Sequence, residues 1–285
     1  WDKVENESTA RFAEGGNTGP GADRGKRVPW SRQLRPEELA SLSPGLALGW
    51  DHDAGLLPHR LAALANADRA VWLEYLARSD AAIDHMAACL AEEMRKAAVK
   101  EFTGAPDGKD FSPPNKPKES WLAGRDARIL ADTVLSYQSP CGGWSKHVDY
   151  TKGPRKPGTH WSSQGSPASP WHYAATFDNN STTGQIQFLL AYWLVSRREE
   201  VKLAILRGLD YILASQFPNG GWPQVYPLEG GYHDNITLND NMTVMILRTL
   251  QELTRAGAGT GLLDEERMMR ARAACQRGLD LLLIL

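Results

Sequence analysis

Three things are scarce in this 285-residue chain: paired cysteines, an excess of charge of one sign, and long apolar runs. Cys89, Cys141 and Cys275 lie far apart and form no Cys-x-x-Cys, which argues against a zinc site or a disulfide framework and leaves room for a single disulfide. Lys and Arg total 32 against 34 Asp and Glu, a formal charge of −2, so no positive field exists to collect nucleic acid. An acidic ligand must instead be gathered locally, by a metal or a few basic side chains. No apolar stretch approaches the roughly 20 residues of a membrane-spanning helix, because even Ile205 to Leu213 is broken by Arg207 and Asp210. The expectation is a protein with neither nucleic acid nor membrane as a partner. The first residue is Trp1 and no apolar leader is visible, so localisation cannot be read from this end. At the other end RGLDLLLIL stops inside an apolar helical run without cap, Gly or polar exit. We read the chain as a piece of a longer one, whose bare Leu281–Leu285 face would leave it unstable or self-associating in isolation.

What is present is ordinary globular material, 42% hydrophobic and 23% charged. Residues 1 to about 60 are rich in Gly, Pro and charge, with one short helix expected over Pro36–Leu42. From Leu64 to about Lys100 the spacing of Val71, Leu73, Leu76, Ile83, Met86, Leu90 and Met94 predicts two helices separated near Ser79-Asp80. The turn-forming TGAPDGKDFSPPNKPKES then reads as a surface loop or linker, which divides the chain into an N-terminal segment, 1–117, and a main domain, 118–285. Helical spacing returns over Trp121–Tyr137, Thr183–Ser196, Glu200–Ser215, Asn241–Ala256 and Asp264–Ile284. The Thr183–Ser196 segment is apolar around much of its circumference and reads as an inner helix, with Glu200–Ser215 as its outer partner.

Two phrases recur. Gln138-Ser-Pro-Cys-Gly-Gly-Trp144 and Gln216-Phe-Pro-Asn-Gly-Gly-Trp222 share Q-x-P-x-G-G-W at a separation of 78 residues, and Arg207-Gly-Leu-Asp210 returns 70 residues on as Arg277-Gly-Leu-Asp280. Repeats of this length, each holding two helices, predict an all-α toroid or solenoid of helical hairpins closed by Gly-rich loops. The glutamine amides suit free helix-end carbonyls and the tryptophans suit covering the junctions, a mechanical role for all four residues.

QSPCGGWSK (138–146), ATFDNNSTTGQIQFL (175–189) and QFPNGGWPQVYPLEGGYHDNITLNDNM (216–242) stand in one order, and together they resemble the family 10 pectate lyases, the pectic acid lyases. The likeness runs from about Trp121 to the end of the chain. It implies an (α/α)3 toroid, calcium-dependent β-elimination of polygalacturonate, a secreted or periplasmic enzyme and a monomer in the full-length form. Removing the C5 proton α to a carboxylate needs that carboxylate's charge neutralised, and Ca²⁺ with hard oxygen ligands suits the task. By the resemblance, Asp178 with Asn179 beside it, and Asp240, are the calcium and substrate-carboxylate candidates, and Lys146 is a basic group for a substrate carboxylate. The competing reading of Asp178 is a cap for the helix that begins near Ser181. Trp222, Gln224 and Tyr226 follow the second Gly-Gly, where aromatic faces suit sugar rings, or else simply pack the loop. His147, His172 and His233 fit no metal spacing and are expected to make local hydrogen bonds.

The chain departs from the family twice. It carries Asn239-Asp240-Asn241 where the family usually has a further carboxylate, and the arginine that serves the family as base belongs to a segment beyond Leu285. Arg207, Arg248 and Arg277 sit in helices and match no such phrase, so no catalytic residue is assigned. Two alternatives come from other classes. A triterpene cyclase shares a Q-x-x-x-G-x-W repeat, but Asp51-His52-Asp53 is the nearest approach to its DxDD motif. A non-catalytic carbohydrate-binding toroid would keep the loops without the base.

Overall fold

The computed structural model of the chain describes residues 64–114, 116–165, 172–229 and 232–284. The helix expected at Pro36–Leu42 and the Asp51–Asp53 segment lie outside them. The described chain is all-α: α1 (Asn66–Ala97), α2 (Glu119–Leu122), α3 (Arg125–Ser136), α4 (Thr183–Ser196), α5 (Glu199–Ser215), α6 (Met242–Gly257) and α7 (Glu265–Ile284). Among the described residues, β pairing is confined to isolated bridges such as Thr176–Val225 and Pro223–Ile236, and no helix is long and apolar enough to cross a membrane. The three cysteines are free, so the disulfide left open by their number is not formed.

The four helices α4 to α7 follow the apolar periodicity to within a residue at each end. α4 buries Ile186, Phe188, Leu189, Leu190, Tyr192 and Trp193, which no single stripe can hold, and it is packed between α3, α5 and α6. It is thus an inner helix, as its all-round apolar sequence predicts. α6 lies beside it and pairs with α7, while the outer helices α3, α5 and α7 follow one another around the outside.

Two expectations for the helices fail. α1 is one helix of 32 residues, unbroken at Ser79-Asp80. Both residues are buried in it, and Ser79 Oγ accepts the N–H of Leu228 at 2.9 Å. The polar pair thus receives a distant loop rather than ending a helix. Conversely, the single helix expected over Trp121–Tyr137 is divided at Ala123-Gly124, where Gly124 takes an extended conformation (φ −84°, ψ 171°) before α3 starts.

The division at 117/118 is not a structural boundary either. Tyr75 of α1 is 1% exposed; its ring lies 5.1 Å from Phe217 and 5.9 Å from Tyr226, and its hydroxyl donates to Ser215 O. The polar segment after α1 is pinned by backbone hydrogen bonds from Ala105 N to Ser162 O, Gly108 N to His147 O and Asp149 N to Pro106 O. Turn-forming residues made this stretch look like a linker, but its backbone groups find partners on the main body. Residues 64–114 therefore share one core with the repeats.

The two recurring phrases are halves of one clasp. Gln138 Nε2 donates to Gly142 O in its own loop and to Ala204 O in the next outer helix, and Arg207 of that helix donates back to Gln138 Oε1. One repeat on, Gln216 Nε2 donates to Gly220 O and Ala274 O, and Arg277 reaches Gln216 Oε1. Each tryptophan anchors the same seam, with Trp144 Nε1 donating to Val134 O and Trp222 Nε1 to Ile212 O. Gly208 and Gly278 make room for their rings, since a Cβ there would stand 3.2 and 2.6 Å from the indole Cζ3 atoms. The mechanical role expected of the glutamines holds, but not on free helix-end carbonyls: each amide takes one carbonyl in its own loop and one inside the outer helix of the neighbouring repeat.

His160 carries a pH-dependent share of stability. It is 0% exposed, lies beside Phe102 and Trp161, and accepts the N–H of Ser162 at Nδ1. Burial, and secondarily the Arg155 charge, depress its pKa from 6.5 to about 4. Between those values the unfolded chain binds a proton that the folded chain refuses. The contribution is therefore complete above pH 6.5 and is lost as pH falls through about 4, a total of about 3 kcal/mol. Urea midpoints measured from pH 7 to 4 should fall more steeply for the wild type than for His160→Gln; equal slopes would remove the assignment.

Candidate active site

The site forms where loops leaving the outer helices meet the entries of the inner helices. A 3-10 turn precedes each inner helix, Asp178–Asn180 before α4 and Asn239–Asn241 before α6. Both turns use left-handed backbone, with φ of 53° at Asn179, 52° at Asp240 and 54° at Asn241, a region that Asn and Asp enter more readily than other side chains. The turns lie in contact with each other. A short ladder of backbone hydrogen bonds holds them to the Gly-Gly-Trp loops, from Thr176 N to Trp144 O, Phe177 N to Gln224 O and Gln224 N to His233 O.

This arrangement draws Lys146, Asp178, Gln224 and Asp240 together. Lys146 Nζ donates to Asp178 Oδ2 at 2.5 Å, with the two side chains only 12% and 6% exposed. Burial would raise the Asp178 pKa, but the Lys146 hydrogen bond and charge, together with hydrogen bonds from Gln224 and Asp240, hold it below the usual carboxylate range. Asp240 moves the opposite way, raised by desolvation first and then by the Asp178 charge and their shared hydrogen bond, with Lys146 partly offsetting the rise. Two carboxyls in contact on one lysine are short of positive charge. Their hard oxygens suit Ca²⁺ in kind. Among the described residues no group of three or more His, Cys, Asp or Glu is placed to hold a metal ion, so oxygens from water or substrate would have to complete the coordination.

The capping alternative for Asp178 fails. α4 begins at Thr183 with Thr182 at its N-cap position and no side-chain cap, and the Asp178 carboxylate is taken by Lys146. Three other expectations change. Trp222 is 0% exposed and Tyr226 2%, both in the core; Tyr226 packs against Tyr75 and Tyr211, so neither presents a face to a sugar. Asn179 is drawn sideways, its amide donating to Asp110 Oδ2 at 2.7 Å. Gln224 alone of the three loop residues reaches the carboxylates. The histidines make hydrogen bonds, but to distant partners and not local ones: His147 with Asp110, His172 with Glu229, and His233 with the Tyr173 hydroxyl.

Asp110 and Tyr173 went unnoticed in the sequence. Asp110 lies in the supposed linker, and its charge contributes to the raised pKa of Asp240. The Tyr173 ring lies under Lys146 Nζ, 3.8 Å from its centroid. No local pattern marks either residue, because their partners are tens of residues away.

An all-α repeat protein with an acidic, lysine-bearing cluster among its loops is the class that fold and site define. Residues 138–285 match the model of the pectic acid lyase family, and the chain belongs to that family. Among solved structures it is similar to two of a family 10 polysaccharide lyase from Cellvibrio cellulosa. One covers 61% of this chain and 51% of its own, and the other, a mutant in complex with trigalacturonic acid, covers 56% and 48%; both are 29% identical, with TM-scores of 0.45. The chain thus spans about half the length of those proteins. No curated protein matches.

Proposed function

We propose that the chain is the Lys146- and aspartate-bearing part of a polysaccharide lyase that cleaves polygalacturonate by β-elimination. A base takes the proton from C5 of a galacturonate, the C–H electron pair forms the C4=C5 double bond, and the glycosidic oxygen departs from C4 and takes a proton from water, giving a 4,5-unsaturated product. The observation that carries this reading is the convergence of Lys146, Asp178 and Asp240, from three separate loops, in a chain of the pectic acid lyase family. Asp178 and Asp240 would hold Ca²⁺, which when bound neutralises the carboxylate next to C5 and so acidifies that proton. Lys146 supplies a second positive charge for a uronate carboxylate, and Gln224 orients Asp178 through its hydrogen bond. Arg207 and Arg277 take no part in proton transfer, because both are committed to the glutamine clasps. A secreted or periplasmic location is part of the same proposal, by the family resemblance.

The test is the ultraviolet absorbance of the conjugated uronate on incubation with polygalacturonate, with calcium and with chelator, alongside calorimetric titration of trigalacturonate. Calcium-dependent absorbance supports the proposal. Failure both to cleave and to bind the oligosaccharide would overturn it.

A further inference from the structure

Lys146 faces a conflict that the proposed chemistry creates. Its ammonium is paired with Asp178 at 2.5 Å, yet Asp178 is also the carboxylate offered to a cation. Once a divalent ion shares that carboxylate, the ion pair weakens, and a long flexible ammonium with nothing else to hold it would swing into solvent. A second contact exists. Tyr173, 5% exposed, presents the face of its ring to Lys146 Nζ at 3.8 Å from the centroid, well inside the range at which a ring quadrupole attracts a cation.

The ring is itself fixed from several sides. Its hydroxyl hydrogen-bonds His233 Nε2, and its backbone N–H donates to Glu229 Oε1 at 2.6 Å. The other oxygen of Glu229 meets His172 Nδ1 at 2.9 Å. Tyr173 holds left-handed backbone, φ 48°, which a bulky residue rarely adopts and which the Glu229 hydrogen bond helps to maintain. His233 carries the same backbone segment that bonds Gln224, so the support beneath the ring is continuous with the loop that orients Asp178.

We propose that Tyr173 is a positioning residue, whose ring face retains the Lys146 ammonium beside the two aspartates and aims it at a uronate carboxylate when Asp178 is engaged elsewhere. The inference rests on the lyase reading for its functional consequence, but the contact itself is testable without any turnover. Two variants separate ring from hydroxyl. Tyr173→Phe keeps the face and loses the bond to His233, and Tyr173→Leu removes the face.

In the full chain labelled with carbon-13 at the lysine Cε, the Lys146 resonance, assigned by its disappearance in Lys146→Met, should carry a ring-current shift. That shift should persist in Tyr173→Phe and vanish in Tyr173→Leu. In kinetics with polygalacturonate, Tyr173→Leu should raise KM about tenfold with a much smaller change in kcat, and Tyr173→Phe should recover most of that loss. A Lys146 resonance that does not move in Tyr173→Leu, or equal damage from both variants, overturns the proposal. If the wild type neither binds nor cleaves the substrate, the lyase reading falls, and the resonance alone decides whether Tyr173 holds Lys146.

Discussion

Gly142→Ala is expected to cost more than about 4 kcal/mol, a large share of the roughly 5–15 kcal/mol by which a native protein is stable. Gly142 holds φ +99°, and an added Cβ would stand 2.4 Å from the carbonyl oxygen of Arg207 and 3.0 Å from its carbon. Neither side can retreat. The Gly142 carbonyl accepts Gln138 Nε2, its N–H donates to Ser139 O, and Arg207 is in the middle of α5 while its guanidinium grips the same glutamine. Gly153 supplies the control, since it also has positive φ, +85°, but a Cβ there meets nothing within 4 Å. Gly153→Ala should lose only the backbone cost of about 1–2 kcal/mol. Urea unfolding of both variants measures the difference. Similar losses at the two positions would mean that the seam between repeats is looser than its hydrogen bonds indicate. Gly220, with φ +93° and a Cβ position 2.5 Å from Arg277 O, should behave like Gly142, because it occupies the same place one repeat on.

On the lyase proposal, Asp178→Asn should lower kcat/KM for polygalacturonate by roughly 10²–10³-fold, about 3–4 kcal/mol of transition-state stabilisation. The amide preserves volume and can still hydrogen-bond Gln224, so packing of the turn is retained. The variant loses the charge that both Lys146 and a divalent cation require. Raising calcium should recover only part of the rate, since Asp240 is left as the single carboxylate at the contact between the two turns. Calcium titrations of initial rate, with thermal melting to confirm folding, distinguish this from general damage. A rate within threefold of wild type at every calcium concentration would remove Asp178 from the cation-holding role.

Much of the fold is legible along the chain because its signals are local. The apolar spacing of α4 to α7 lies within single helical turns, and α4 announces its inner position by being apolar on every side. Where the reading failed, the competing interaction came from far away. Ser79-Asp80 looks like a helix break until Leu228, 149 residues on, donates to the serine. The polar stretch around Gly108 looks like a linker until its backbone finds Val148 and Ser162. Trp222 looks like a sugar platform because aromatic loop residues often are, but Ile212 O and the space left by Gly278 take it into the core.

The sequence alone determined the helical repeats and the Gly-Gly-Trp loops between them, and its resemblance to the pectic acid lyases singled out the two aspartates and the lysine. These follow from residue type and spacing over short distances, and from phrases that keep their order. Only the tertiary structure decided that Asp178 is an ion-pair partner instead of a helix cap, because Lys146 reaches it from the preceding Gly-Gly-Trp loop, 32 residues earlier. It likewise decided that the glutamine of one repeat and the arginine of the next form a single clasp. The periods of the two phrases, 78 and 70 residues, differ, and only the stacking of outer helix on outer helix brings them into register.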